Sequence, residues 1–296
     1  MAWRIIGINN PARLSLSNNQ LLIEQDEVVS LPIEDIDSLV LDSYGITATA
    51  NLLTALATGG TTVVICDDKH LPASILLPYS QHSRQAKISR LQIAASQPLR
   101  KQLWQTIIVQ KITNQADVLQ HFQLNHTPLR DLASKVYSGD KTNRESQAAR
   151  HYFSELLEDS TRRKPMWHNA ALNYGYALLR SSIARHIAAR GLIASQGIFH
   201  RSELNSFNLA DDIIEPYRPI VDEYILSHVA PFHLGKPDEG LSTRDKQLIL
   251  DIFNNSAIIG DKKYSLKHAI ERTVESFVQA IEASEADKLA LPKLAI

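Results

Sequence analysis

TTVVICDDKHLPASILLPYSQHSRQAKISRLQIAASQ, residues 61–97, changes its pattern half-way along. The first half holds two short apolar, β-type runs, TTVVIC and SILLP, parted by polar and turn-forming residues. After Pro78 the apolar residues recur at helical spacing, and the helical pattern continues through PLRKQLWQTIIVQKITNQADVLQ. Pro98 suits the first turn of this second helix, where its missing N–H costs nothing. Leu99, Leu103, Ile107 and Ile108 mark an apolar stripe along it. The change of period places a boundary between residues 78 and 79, with 79–98 as a linker or first helix.

Working outward, the residues before this boundary read as strands. Ile5, Ile6 and Ile8, then Arg13 to Ser17, alternate at period two. Leu21 to Ile23, Val28-Val29 and Leu39 to Leu41 are further short runs, separated by Asn9-Asn10-Pro11, Asn18-Asn19 and Gln25-Asp26. One helix, roughly 49–58, is stopped by Gly59-Gly60. After the boundary, helices are predicted near 128–138, 143–159, 165–191, 211–228, 243–255 and 265–284. No internal repeat is visible. The expected fold class is α+β, with a small β-rich, β-sandwich-like domain over 1–78. A larger all-α domain over 79–296 follows it.

Composition narrows the function. The 296 residues are 44% hydrophobic and hold a single cysteine, Cys66, which rules out an internal disulfide or a cysteine metal knuckle. Its TTVVIC setting reads as core. There is no long apolar run to span a membrane, and the start lacks a signal-peptide pattern, so a soluble cytoplasmic protein is expected. The net charge of −1 conceals a division. Residues 1–79 carry −6, residues 80–190 carry +10, and residues 191–296 carry −5. A basic middle between acidic ends is a candidate polyanion surface. Arg84, Lys87 and Arg90 recur at helical spacing, and Arg162-Arg163-Lys164 form a cluster before Pro165. Either group could grip phosphates, and either could be a solvated face. Trp167, Tyr174 and Tyr176 read as packing aromatics.

Phosphate loops of the glycine-rich kind, nucleophile elbows and H-E-x-x-H are all absent. Two segments remain. In HRSELNSFNLADDIIEPYRP, residues 200–219, Asn208 reads as an N-cap and Asp211 as its capping-box partner. Capping accounts for Asp211 and Asp212 but less well for Glu215, which stands before the helix-bending Pro216. Arg218 could neutralise these acids. In SGDKTNRESQAARHYFSELL, residues 138–157, Asp140 or Asn143 could cap a helix through Glu145. Ala148 and Ala149 would let another helix come close. Glu145 is then either a first-turn acid favoured by the helix dipole or a carboxylate held against a partner helix. Glu145, His200 and Glu215 together form a candidate metal set. Two carboxylates and an imidazole suit Mn²⁺ or Mg²⁺, which can polarise a phosphodiester.

These segments also carry a resemblance. GD-x-x-NRE-x-x-AAR-x-YF, GIFH and N-x-FNLADD-x-x-EP-x-RP-x-VD resemble the CRISPR-associated integrase of spacer acquisition, the first of the two universally shared CRISPR-associated proteins. YSQHSRQAKISRLQ and LWQTIIVQKITNQA look like the branch that accompanies the single-protein RNA-guided effector nuclease. The likeness implies that Glu145, His200 and Glu215 are catalytic and bind the metal. It implies attack by the 3′-hydroxyl of a captured DNA fragment on a CRISPR repeat boundary, and DNA cleavage by the protein alone. It also implies a homodimer made by the β domain, and a heterohexamer in which two dimers flank a dimer of a small partner. The effector nuclease of the same system would be a further partner. Two rivals remain: a non-catalytic nucleic-acid scaffold whose acids only cap helices, and a metal phosphohydrolase of small nucleotides.

Overall fold

The computed structural model describes residues 4–68, 70, 72–77, 84–157, 166–236 and 240–295. The chain divides into two compact units, residues 1–82 and 83–296. The boundary expected at 78/79 falls outside the described residues.

The first unit contains β1 (Arg4–Ile8), β2 (Ala12–Ser17), β3 (Gln20–Glu24), β4 (Val28–Pro32), β5 (Ile36–Leu41), β6 (Ile46–Ala48), α1 (Ala50–Gly59), β7 (Thr62–Cys66) and β8 (Pro72–Leu76). They form two four-stranded sheets, ordered β1-β5-β7-β8 and β4-β3-β2-β6. β1, β5 and β7 run parallel, so each pairing needs a crossover. The β2–β4 meander lies between β1 and β5 in the chain, and β6 with α1 lies between β5 and β7. Leu14, Leu21 and Ile23 of one sheet join Ile8, Ile36, Leu39 and Val63 of the other, with Leu52 and Leu56 of α1, in a single core. Thr49 caps α1, and Gly60 ends it at φ 81°, a left-handed conformation that suits glycine. Cys66 is buried, as its sequence setting suggests.

The second unit holds α2 (Gln85–Ala94), α3 (Gln97–His121), α4 (Thr127–Ser134), α5 (Arg144–Leu156), α6 (Trp167–Ala189), α7 (Asn208–Ile214), α8 (Arg218–Tyr224), α9 (Thr243–Leu250), β9 (Ser256–Ile259), β10 (Lys262–Ser265), α10 (Leu266–Ala283) and β11 (Lys293–Leu294). It is therefore not all-helical. β9 pairs antiparallel with β10 and with β11 in a three-stranded sheet. These strands are two to four residues long, too short to show a period, and β11 reaches β9 from across α10 in the chain.

The helix expected over 211–228 is likewise broken. A 3₁₀ turn at Glu215–Tyr217 parts α7 from α8, and a π turn follows at Ile225–Val229. Pro216 and Pro219 each remove a backbone donor from the ladder. α3 is the central element, packed against α4, α5, α7 and α8. Ser96 caps it by accepting the Leu99 N–H, and Pro98 occupies its first turn. Trp167, Tyr174 and Tyr176 are buried, in keeping with a packing role. Tyr152 and Tyr176 both donate their hydroxyls to the buried Asp222 carboxylate. Among the described residues no helix is long and apolar enough to cross a membrane.

If the two sheets of the first unit share one core, Leu14→Ala should destabilise it by about 2–5 kcal/mol. A urea unfolding midpoint that hardly moves would show that Leu14 is not sealed between the sheets.

Candidate functional site

Glu145 is placed by an unusual helix start. Gly139, Asp140 and Asn143 all have positive φ, at 75°, 46° and 51°. This tight turn lets two residues cap α5 at once. Asn143 accepts the Ser146 N–H, and the Asp140 carboxylate accepts the N–H groups of Arg144 (2.8 Å) and Glu145 (3.0 Å). Both capping candidates from the sequence are thus in use. Glu145, in the first turn, is directed at α3, where Lys111 Nζ donates to its Oε1 at 2.6 Å.

Lys111 is 9% exposed at its side chain, and it meets a second carboxylate, Glu215, which is 7% exposed. Its Nζ lies 2.5 Å from Glu215 Oε2 as well, so one buried ammonium faces both glutamates. Glu215 Oε1 accepts from Arg218 Nε at 2.9 Å. Burial pushes the Glu215 carboxyl upward. Lys111 and Arg218 outweigh that and hold it at about 2. For Lys111 the balance is the mirror image: burial lowers its pKa, and the two glutamates more than reverse it.

His200 belongs to the loop before α7. The buried Asp212 carboxylate gathers this loop, accepting the N–H groups of Ile198, Phe199 (3.1 Å) and His200 (3.1 Å) and the imidazole Nδ1 (2.7 Å). Gly197 is required for so close a wrap. A Cβ there would lie 2.3 Å from the His200 carbonyl oxygen and 2.7 Å from Asp212 Oδ2. The hydrogen bond to Asp212 is the main cause of a raised His200 pKa, opposed by burial and aided by the charges of Asp212, Glu215 and Asp211. In the neutral imidazole, donation from Nδ1 to Asp212 leaves Nε2 with its lone pair.

The capping box drawn at Asn208 does not form. Phe207 is the residue before α7, with no side-chain cap. Asn208 instead accepts the Ser202 N–H and donates to the carbonyls of Ser195 and Ser202. Asp211 pairs with Arg180 (2.5 and 3.1 Å) and with Asn205 (2.6 Å). A short polar residue before an apolar run has several backbone groups in reach, and here the preceding loop outcompetes the helix end.

The structure therefore brings Glu145 and Glu215 together through Lys111 and sets His200 beside Asp212. Among the described residues, no three His, Cys, Asp or Glu side chains converge closely enough to hold an ion as they stand. The donor set nevertheless fits a divalent cation chemically, since two carboxylates and an imidazole are oxygen and nitrogen ligands of the kind such ions take. Lys111 escaped sequence reading. The available signal was a lysine inside an apolar stripe, flanked by Ile107, Ile108 and Ile112, where a buried charge demands counter-ions. Of the other candidates, Arg84, Lys87 and Arg90 lie on an exposed stretch at α2, and Lys87 pairs with Glu282 at 2.8 Å. Arg162, Arg163 and Lys164 lie outside the described residues.

The family model for CRISPR associated protein Cas1 matches residues 6–238. The CRISPR-associated endonuclease Cas1 of Neisseria meningitidis serogroup C (strain 8013) is 43% identical over 298 residues, covering 99% of this chain and 97% of that protein. The chain belongs to the Cas1 family. Among solved structures, a casposase bound to integration product matches with a TM-score of 0.80 at 18% identity, covering 95% of this chain and 90% of that one. A Cas6-RT-Cas1–Cas2 complex matches with a TM-score of 0.73 at 21% identity, covering 98% of this chain and 36% of that one. At these identities the two structures speak for a Cas1-like fold.

Removing Lys111 should expose how much the site depends on it. Lys111→Met leaves two carboxylates facing each other, one of them buried, and should cost about 3–5 kcal/mol. Adding Glu215→Gln should recover a good part of that, a coupling read by a double-mutant cycle of denaturation free energies. Additive losses would mean that the ammonium and the carboxylate do not depend on each other.

Proposed function

We propose that this protein is the metal-dependent DNA endonuclease and integrase of CRISPR adaptation. It inserts captured DNA fragments into a CRISPR array as new spacers. The observation that carries the reading is the meeting of Glu145 and Glu215, from distant segments, at one buried ammonium. The 43% identity to a named endonuclease and the fold shared with a casposase bound to integration product add support.

In the reaction, the 3′-oxygen of the captured fragment forms a bond to the phosphorus at the repeat boundary. The bond from that phosphorus to the repeat strand's own 3′-oxygen breaks, and the proton lost by the attacking hydroxyl is balanced by one gained by the leaving oxygen. One phosphodiester replaces another, so no energy source is needed. Glu145, Glu215 and His200 Nε2 would hold a Mg²⁺ or Mn²⁺ ion, which when bound supplies a Lewis acid for the phosphoryl oxygens.

The chain's own groups prepare the site. Lys111 and Arg218 keep the Glu215 carboxylate ionised, and Asp212 fixes the imidazole's tautomer and orientation. For the three ligands to converge, Lys111 must leave its place between the glutamates. Double-stranded DNA, as fragment and as repeat, is the substrate.

The first unit makes the homodimer. Its strand β4 is a sheet edge carrying exposed Val28 and Val29. A small partner of the Cas2 kind completes a heterohexamer, a reading supported by the fold shared with a Cas6-RT-Cas1–Cas2 complex. The effector nuclease of a single-effector system is a further partner, and the protein works in the cytoplasm, where the array is. The scaffold reading draws on Lys111 as well, because its ammonium already neutralises much of the acid pair.

Strand transfer separates the two. Glu145→Ala, His200→Ala and Glu215→Ala should each lower it at least about 100-fold, as loss of a group that stabilises transition-state charge does. The assay uses labelled fragment, a repeat duplex, the small partner and either Mg²⁺ or Mn²⁺, with folding checked by circular dichroism. Survival of activity in all three variants would favour the scaffold. Independently, Val28→Lys with Val29→Lys should shift sedimentation toward monomer; an unchanged dimer would place the interface elsewhere.

A further inference from the structure

Lys111 stands where an ion shared by Glu145 and Glu215 would also have to stand, with its Nζ 2.6 and 2.5 Å from their oxygens. Each carboxylate keeps its position without help from this ammonium. The Asp140 carboxylate accepts the Arg144 and Glu145 N–H groups and so fixes the first turn of α5. Asn114 donates to the Pro216 carbonyl and fixes the turn that carries Glu215, while Arg218 holds Glu215 Oε1. Lys111 is the movable member, because its ammonium ends a flexible aliphatic stem. The Glu145 side chain is 25% exposed and that of Glu215 only 7%, so the way out for the ammonium leads past Glu145.

Charge decides what can replace it. Glu145 and Glu215 bring two negative charges, and Lys111 and Arg218 bring two positive ones. The cluster is neutral as it stands and has little pull on a further cation. An ion entering beside the ammonium would meet like charge at close range where the dielectric is low. A divalent ion that takes the ammonium's place leaves one positive charge over, opposite in sign to a phosphodiester. A monovalent ion in that place gains nothing in charge and displaces a partner that is tethered, and so always at high local concentration.

We propose that Lys111 is a tethered competitor for the divalent ion. Ammonium and ion exchange at the two glutamates, and only a divalent ion displaces the lysine. The proposal rests on the metal-dependent integrase reading and deepens it. Lys111 acts through Glu145 and Glu215, so it is a positioning residue. Ion affinity is lowered by the fraction of molecules in which Lys111 holds the place, and removing the lysine gives that affinity back.

The first measurement needs no variant. Full-length wild type is pulsed with acetic anhydride in buffer without divalent ions, with Mn²⁺, with Mg²⁺, and with K⁺ at matched ionic strength. Acetylation of each lysine is read by peptide mass spectrometry. Lys111 should react poorly without divalent ions and with K⁺, and several-fold more with Mn²⁺ or Mg²⁺. Lys135, paired with Asp131 at the exposed end of α4, is the internal reference and should not change. The second measurement is calorimetric titration with Mn²⁺. Lys111→Gln and Lys111→Met should bind it at least about ten-fold more tightly than wild type, and Glu215→Gln should lose binding. Mn²⁺ should also raise the melting temperature of Lys111→Met more than that of wild type, since the ion restores the missing counter-charge.

Mn²⁺ binding by wild type with Lys111 no more reactive than before would overturn the proposal and leave the integrase reading standing. Equal exposure of Lys111 by K⁺, or lysine variants that bind Mn²⁺ no better than wild type, would do the same. Mn²⁺ binding that survives in Glu215→Gln would sink the ligand set itself, and the proposal with it. Should neither lysine variant fold, the acetylation of wild type decides alone.

Discussion

The ammonium of Lys111, buried between Glu145 and Glu215, is the contact on which the second unit depends. It ties α3 to the first turn of α5 and to the turn between α7 and α8. Taking a charge out of water costs several kcal/mol even after relaxation, so the triad exists only because each charge faces its opposite. Arg218 completes the balance on the far side of Glu215, with its guanidinium also over the Tyr176 ring. Four charges cancel, and three helical segments are fixed relative to one another. Such a cluster contributes little net stability over a well-packed apolar one, yet it fails badly when one member is lost. Its value lies in placement: the Glu215 carboxylate is held ionised where burial alone would favour its protonated form.

A second carboxylate does comparable work with a different purpose. Asp212 collects three backbone N–H groups and one imidazole, so the loop that carries His200 is wrapped around a single buried side chain. This is how a loop is made rigid enough to present one ring nitrogen. It also explains the adjacent acids, which looked interchangeable in the sequence. Asp211 faces Arg180 and Asn205, Asp212 holds the histidine loop, Glu215 faces Lys111, and Asp222 receives two tyrosine hydroxyls. Four acids on one short stretch have four separate partners.

How far this was legible depends on the range of each interaction. The cap of α3 at Ser96 with Pro98 and the double cap of α5 by Asp140 and Asn143 both involve neighbours within five residues. Local chemistry decides them, and the sequence could be read there. Lys111, Arg180 and Tyr152 are partners of acids found 31 to 104 residues away. Nothing short-range announces which acid each will meet, although a lysine in an apolar stripe already demands some acid. The strands β9 to β11 were missed for the same reason, since a two-residue strand pairing across α10 leaves no periodic trace. Asn208 shows the opposite error, a sound local rule overruled by a loop that offered better hydrogen bonds.

The break between α7 and α8 joins these threads. A continuous helix through residues 208–224 would carry Glu215 on an unbroken ladder, with Pro216 and Pro219 forbidden. Because the prolines impose a 3₁₀ turn at Glu215–Tyr217, the freed backbone must find partners elsewhere. The Pro216 carbonyl accepts from the buried Asn114 side chain, which also donates to Pro292. Asn114 is three residues beyond Lys111 on α3, so one turn of that helix meets both the side chain and the backbone of the same kink. α3 thus fixes where Glu215 stands by two independent contacts, one ionic and one a neutral hydrogen bond. The two contacts are separable: loss of the Lys111 ion pair would still leave the hydrogen bonds of Asn114 to hold the kink in place.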